Sequence, residues 1–325
     1  MATITSSGEA GLGETVYVGL QLAILLGVAP FTLRGIYTAD QRLMRWAAGA
    51  FVVGQSVSGL AGIAQVFGAS PLGEAAANGR SPGLAGHPNV LGVMAVIAIL
   101  VCVASIIRGY ANRAFCFALL AVNVAGLLAT GSLSSMSAGA FGVLVLLYAA
   151  GYRVLRIAFV AAIVVGFAIW FLGIPEVALA LRNPLDRFYQ VTGQTEAIST
   201  LDIRAQTYDA AIAGIARDPL LGKGLSAESA ASISSGTVVH NVLLRAWYQG
   251  GLVFGLAIGL IIAAALLVTV QAIVRRQNGL AASVMIAMLS FGMTSAFFEQ
   301  AYYWLPVLAA WASLPRRTRD RAGST

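Results

Sequence analysis

Polar chemistry is scarce in this chain, so its candidate residues are few. There are two histidines, and His240 stands where a long polar stretch runs back into apolar sequence, Val238-Val239-His240-Asn241-Val242-Leu243-Leu244. An imidazole in that position can take a proton from a hydroxyl near neutral pH. The alternative is a histidine that caps or anchors a helix end. Two arginines suit a phosphate group, because a guanidinium is planar, stays charged and donates two parallel hydrogen bonds. Arg204 lies in the polar stretch, and Arg80 lies in the loop Asn78-Gly79-Arg80-Ser81-Pro82-Gly83-Leu84. For each, the alternative is a solvated side chain or one that touches lipid headgroups. His87 precedes Pro88-Asn89 and reads as a helix-start residue. There is no metal-ligand spacing and neither GxxxxGK[ST] nor GxGxxG, so no metal or nucleotide cofactor is expected. Cys102 and Cys116 both lie in apolar runs, which leaves no disulfide framework and no thiolate metal site.

The elements that must carry these residues are set by composition. Hydrophobic residues make up 58% of 325 and charged residues 10%, against roughly 45–50% and about 25% in soluble domains. One water-soluble core cannot hide that much apolar surface, and an all-α integral membrane fold results. Nine apolar runs read as spans: 16–33, 46–67, 90–107, 114–130, 136–150, 154–172, 252–274, 280–298 and 302–314. Most approach the roughly 20 residues that cross a hydrocarbon core. The net charge of +7 does not indicate nucleic acid, because the cations are scattered between the apolar runs and form no basic face. They sort by side instead. With the N-terminus outside, the short inner loops and the C-terminus hold thirteen arginines, and the short outer loops hold only Arg80. That is the positive-inside pattern, with N-out and C-in. The first fourteen residues lack the basic start of a cleavable signal peptide.

This divides the chain into helices one to six (1–173), a large extracytoplasmic loop (174–239), and helices seven to nine with a basic cytoplasmic tail (240–325). Within the loop, Leu201, Ala205, Tyr208, Ala211, Ile212 and Ile215 fall at helical spacing. They predict an amphipathic helix lying on the outer membrane surface, stopped by Pro219 and followed by a turn at Gly222 and Gly224. Gly251, Gly255 and Gly259 form a small-xxx-small pattern that predicts close helix packing.

Several of these residues belong to a longer pattern. Asp202-Ile203-Arg204, then Asp218-Pro219-Leu220-Leu221-Gly222-Lys223-Gly224, then His240-Asn241 and Gly251 resemble the signature of the O-antigen ligase/polymerase family. Gly79-Arg80-Ser81-Pro82-Gly83-Leu84-Ala85-Gly86-His87-Pro88-Asn89 is similar to that family's arginine loop ending in Pro-Asn. The likeness covers about residues 79–255. It implies a metal-independent, inverting glycosyltransferase of the bacterial inner membrane with its active face extracytoplasmic. Such an enzyme moves a glycan from an undecaprenyl-diphosphate carrier to a glycan, lipid or protein acceptor. Carried over, Arg80 and Arg204 become diphosphate ligands, Asn241 a further substrate-binding residue, and His240 the base for the acceptor hydroxyl or the group that orients it. The chain departs from the family at Gly131-Ser132-Leu133-Ser134-Ser135, where many members have a Ser-Arg pair. Leu133 cannot bind phosphate, and Arg187 is the candidate replacement. Nine spans are also fewer than the family's usual number. Two other readings stand beside the transferase: a transporter or flippase for a lipid-linked glycan, and a non-catalytic membrane component of envelope glycan assembly.

Overall fold

The computed structural model describes residues 9–69, 80–153, 200–226, 238–295 and 300–314. The expected span at 154–172, Arg187 and most of the long loop lie outside the described residues, as does the basic tail. The described residues are helical throughout, with no strand among them. In chain order the helices are α1 (Glu9–Ala23), a π-helical stretch (Ile24–Val28), α2 (Ala29–Ala39), α3 (Gln41–Val66), α4 (Pro88–Arg108) and α5 (Arg113–Ala129). After these come α6 (Leu133–Ala149), α7 (Thr200–Arg217), α8 (Val242–Val274), α9 (Gly279–Gly292) and α10 (Ala301–Ser313). Among the described residues four helical stretches are long and apolar enough to cross a membrane: Leu12–Ala39, Gln41–Val66, Pro88–Arg108 and Val242–Val274. Shorter apolar helices run over Arg113–Ala129, Leu133–Ala149 and Gly279–Gly292.

Local chemistry starts these helices where the apolar runs begin. Asp40 caps α3, Asn112 caps α5, Ser132 caps α6, Asn241 caps α8 and Asn278 caps α9, each accepting from a backbone N–H of the first turn. Pro88 opens α4, and Gly109 ends it in the left-handed conformation. α4 is the centre of the bundle. Leu91, Val93, Ala95, Val96, Ala98 and Leu100 have no exposed surface, and α3, α5, α6 and α9 all pack on it. α6 and α9 approach closely because Gly142 faces Ala287 and Gly279 faces Ala149. At the far end of the bundle Arg34 of α2 donates to the carbonyls of Ala312 and Leu314 at the end of α10.

The longest helix departs from expectation. α8 breaks at Gly251, where φ is 72° and ψ is −174°. The chain reverses there. A Cβ added to Gly255 would lie 2.9 Å from Trp247 Cβ, and one added to Gly259 would lie 3.4 Å from Leu243 Cδ1. In a straight helix residues 247 and 255 would be about 12 Å apart. Residues 242–250 therefore form an arm lying antiparallel against residues 252–274, the stretch expected to span. Gly255 and Gly259 do mark close packing, as their spacing suggested, but between the two halves of one helix. Gly251 is the turn itself.

The turn after α7 fits into this break. Leu252 N–H donates to Pro219 O, Lys223 N–H to Tyr248 O and Gly224 N–H to Gln249 O. A Cβ on Gly251 would collide with Leu220 O, and one on Gly222 with Gly251 N. α7 itself runs beside the arm. Ala211 and Ile215 pack with Val239 and Tyr248, and Tyr208 and Leu244 join them. The helix predicted from 201–215 is present, with Pro219 and Gly222 after it. Ala211 and Ile215 on its apolar side rest on the arm, and Ile212 stays exposed.

Candidate functional site

Arg80 is placed by polar residues inside the bundle. Gln65 of α3 donates from Nε2 to Gly83 O at 3.1 Å and accepts from Gly83 N–H at 2.9 Å. Ser58 Oγ accepts from Leu84 N–H at 3.1 Å. Gly83 has φ 58°, and a Cβ there would collide with Ser58 O, so only glycine fits. The loop is thereby held against α3, where its backbone polar groups are satisfied without water. Buried Arg80 donates from Nε to Thr130 O at 2.8 Å and from Nη2 to Asn89 Oδ1 at 2.7 Å. Asn89 Oδ1 also accepts from Ser132 Oγ at 3.0 Å. Arg80 thus ties the loop to the start of α4 and the end of α5.

Arg204 arrives from the other side. It sits in the second turn of α7, and its Nη2 donates to Ser134 Oγ of α6 at 3.5 Å. Its Nε is buried and has no acceptor among the described residues. Burial holds its pKa below the ordinary arginine value, which registers the cost of a guanidinium drawn out of water. One turn later Tyr208 donates its hydroxyl to the carbonyl of His240 at 3.0 Å. α7 therefore positions both the cation and the histidine's backbone.

The ring of His240 is oriented by a backbone carbonyl. Nδ1 lies 2.7 Å from Val238 O, and a carbonyl only accepts, so Nδ1 carries the proton and Nε2 presents a lone pair. The imidazole is held at a pKa of about 4, chiefly by burial and then by Arg204. The Val238 hydrogen bond opposes that shift, and Arg245 and His87 add to it. His240 is neutral near pH 7, in the tautomer that a base for a hydroxyl requires.

The remaining expected residues fall around this pair. Asn241 caps the arm, with Oδ1 accepting from Leu243 N–H at 3.1 Å and Leu244 N–H at 3.0 Å. Its Nδ2 donates to Met293 O at 3.3 Å. Both ends of that side chain therefore hold backbone. His87 caps α4, as its place before Pro88 suggests, through Nδ1 accepting from Asn89 N–H at 3.1 Å. Leu133 opens α6, beside the Ser134 that Arg204 touches.

The N-termini of α4, α6 and the arm meet here with the C-terminus of α9. Ser135 Oγ donates to Asn89 O, Ser134 Oγ to Thr294 O, and Asn241 Nδ2 to Met293 O. The three N-termini favour an anion and the C-terminus of α9 opposes it, so the net positive charge at this junction comes from Arg204. The pairing of Leu243 with Gly259 puts His240 roughly 15 Å along the long half of α8 from its break, at about 1.5 Å per residue.

Sequence reasoning overlooked Arg245. It is buried in the arm, with Nε donating to Gln249 Oε1 at 2.7 Å, and Gln249 Nε2 reaches Gly224 O and Ser226 O at 3.3 Å each. The available signal was a charge within the otherwise apolar run that opens α8, which is a site pointer by default. Gln65, Ser58 and Asn89 were also missed, because their roles depend on what the Arg80 loop packs against. No protein-family model matches the chain, and no curated protein matches it either.

Proposed function

We propose that this chain is an integral-membrane glycosyltransferase of the O-antigen ligase/polymerase type. It moves a glycan from an undecaprenyl-diphosphate carrier to an acceptor hydroxyl at the outer face of a bacterial inner membrane. The supporting observation is a half-buried Arg204, whose buried Nε has no acceptor among the described residues, together with a neutral His240 whose Nε2 holds a lone pair. In this reading the donor's diphosphate lies between Arg204 and the converging helix ends. Arg80 adds charge from behind, since two of its donor groups brace Asn89 and Thr130.

The acceptor oxygen attacks the anomeric carbon from the face opposite the diphosphate. Its proton passes to His240 Nε2 as the new C–O bond forms, the bond to the diphosphate oxygen breaks, and the leaving group keeps the electron pair. Inversion is the result of that displacement. Fixed positive groups stabilise the charge that builds on the leaving group. The full assembly in this reading is a bundle of about nine spans, N-out and C-in, bedded in membrane lipid.

The decisive experiment is transfer from a purified lipid-linked glycan by the protein in detergent. His240→Ala should lower the rate about 10²–10⁴-fold, the usual worth of general-base help, while donor binding stays nearly intact. His240→Gln keeps a hydrogen bond but no base: a preserved rate means the residue orients the acceptor, and a lost rate means proton transfer. Loss of donor binding in His240→Ala would move the histidine to the diphosphate site. A second reading has one observation in its favour, since a broken, re-entrant helix carrying a buried arginine also suits transporters. Glycan flipping across proteoliposomes without any transfer in detergent would select it.

A further inference from the structure

The two histidines are held in opposite tautomers. The backbone N–H of Asn89 can only donate, so His87 Nδ1, 3.1 Å away, must hold a lone pair. The proton of the neutral ring is then on Nε2. His240 is the reverse, with its proton on Nδ1 and its lone pair on Nε2. His87 remains exposed even though it caps α4, and Asn89, two residues on, also takes Arg80 Nη2 at 2.7 Å. The carbonyl of Asn89 accepts from Ser135 Oγ, next to the Ser134 that takes Arg204 Nη2, so His87 stands at the same junction of helix ends as Arg204.

We propose that His87 is a second working residue of this site: Nδ1 caps α4, and Nε2–H donates a hydrogen bond to the diphosphate drawn in by Arg204. This rests on the transferase reading above. Two features keep the ring in the required form. Protonating it would turn Nδ1 into a donor facing the donor of Asn89 and break the cap. Partial desolvation of the ring and the neighbouring Arg80 charge both oppose that proton as well. A neutral donor has a particular use here. It binds an anion without adding a further repulsive charge to a site already crowded with cations.

A substitution separates the cap from the donor. Asparagine is among the best N-cap residues, so His87→Asn keeps an oxygen for Asn89 N–H but lacks the distant N–H. The probe is undecaprenyl diphosphate without glycan, titrated into the full-length protein in detergent, with inorganic diphosphate as competitor to isolate the headgroup. His87→Asn should unfold at the wild-type temperature yet bind the probe about three- to tenfold more weakly, the worth of one net hydrogen bond. His87→Ala should lose both affinity and thermal stability. Wild-type affinity in His87→Asn would overturn the inference and leave His87 a cap only. If the wild type binds neither the lipid diphosphate nor the inorganic one, the diphosphate reading fails and takes this role with it. If the wild type binds and Arg204→Ala abolishes binding while His87→Asn does not weaken it, only the His87 assignment falls.

Discussion

The acid limb of the transfer reaction should lie well below that of an ordinary histidine. His240 is held at a pKa of about 4 by burial first and Arg204 second. At pH 5 such a ring is about nine-tenths neutral, whereas a solvated histidine near 6.5 would be about 3% neutral. Between pH 7 and pH 5, kcat/KM should therefore fall by about a tenth, where an ordinary histidine would cause a loss of roughly 25-fold. A donor diphosphate esterified at both ends has no proton to exchange in this window, so the limb reports the enzyme. The profile of kcat should differ from that of kcat/KM. Once the diphosphate sits against Arg204, its negative charge offsets the guanidinium, and the pKa of His240 rises in the complex. The limb of kcat should then lie at higher pH than that of kcat/KM, and the base becomes stronger only when its substrate is present. Arg204→Gln removes the second cause, so its kcat/KM limb should move upward from about 4. The assay is initial rates of glycan transfer in detergent across the range from acid to neutral pH, with lipid-linked donor varied at each pH. A wild-type kcat/KM that drops in the range of an ordinary histidine, unmoved by Arg204→Gln, would show that His240 is not the buried base described here.

The same geometry sets other outcomes. Cysteines introduced at Ser199 and Ser324 test the N-out, C-in topology, since the native Cys102 and Cys116 are buried; outside reagent should label the first only, and labelling at Ser324 or silence at Ser199 would sink it. Arg204→Ala should greatly weaken transfer with the fold intact, and Arg204→Lys should restore only part, because a point charge replaces a two-pronged donor. Arg80→Ala should cost thermal stability as well as transfer, since Arg80 bridges Thr130 and Asn89; thermal unfolding beside the transfer assay checks it. Gly251→Ala sets a Cβ against Leu220 O at positive φ and should destabilise by at least ~2 kcal/mol. Gly259→Ala meets only Leu243 Cδ1 at 3.4 Å and should unfold near the wild-type temperature.

The parts of this fold that could be read in advance are those governed by local rules. The apolar run 90–107 became the helix Pro88–Arg108, and 302–314 became Ala301–Ser313, because the residues that form one apolar helix are continuous in sequence. The arm was not legible in the same way. Residues 242–250 run into the apolar stretch 252–274 with no proline between them, and the break at Gly251 is made by a turn some thirty residues earlier that inserts Pro219 and Gly222. Glycine at 251 permits that reversal, but nothing local requires it. Arg204 and His240 were nameable from type and motif. Their environment was not, since it depends on Ser134, on Tyr208 holding the His240 carbonyl, and on four helix ends meeting. The histidines make the distinction sharpest. Both precede a helix, and each side chain bonds backbone two residues away. His240 faces a carbonyl and so offers a lone pair, while His87 faces an N–H and so offers a proton. Their chemistry is set by which backbone atom each meets, a choice made by the loop that delivers it and not by the residue type.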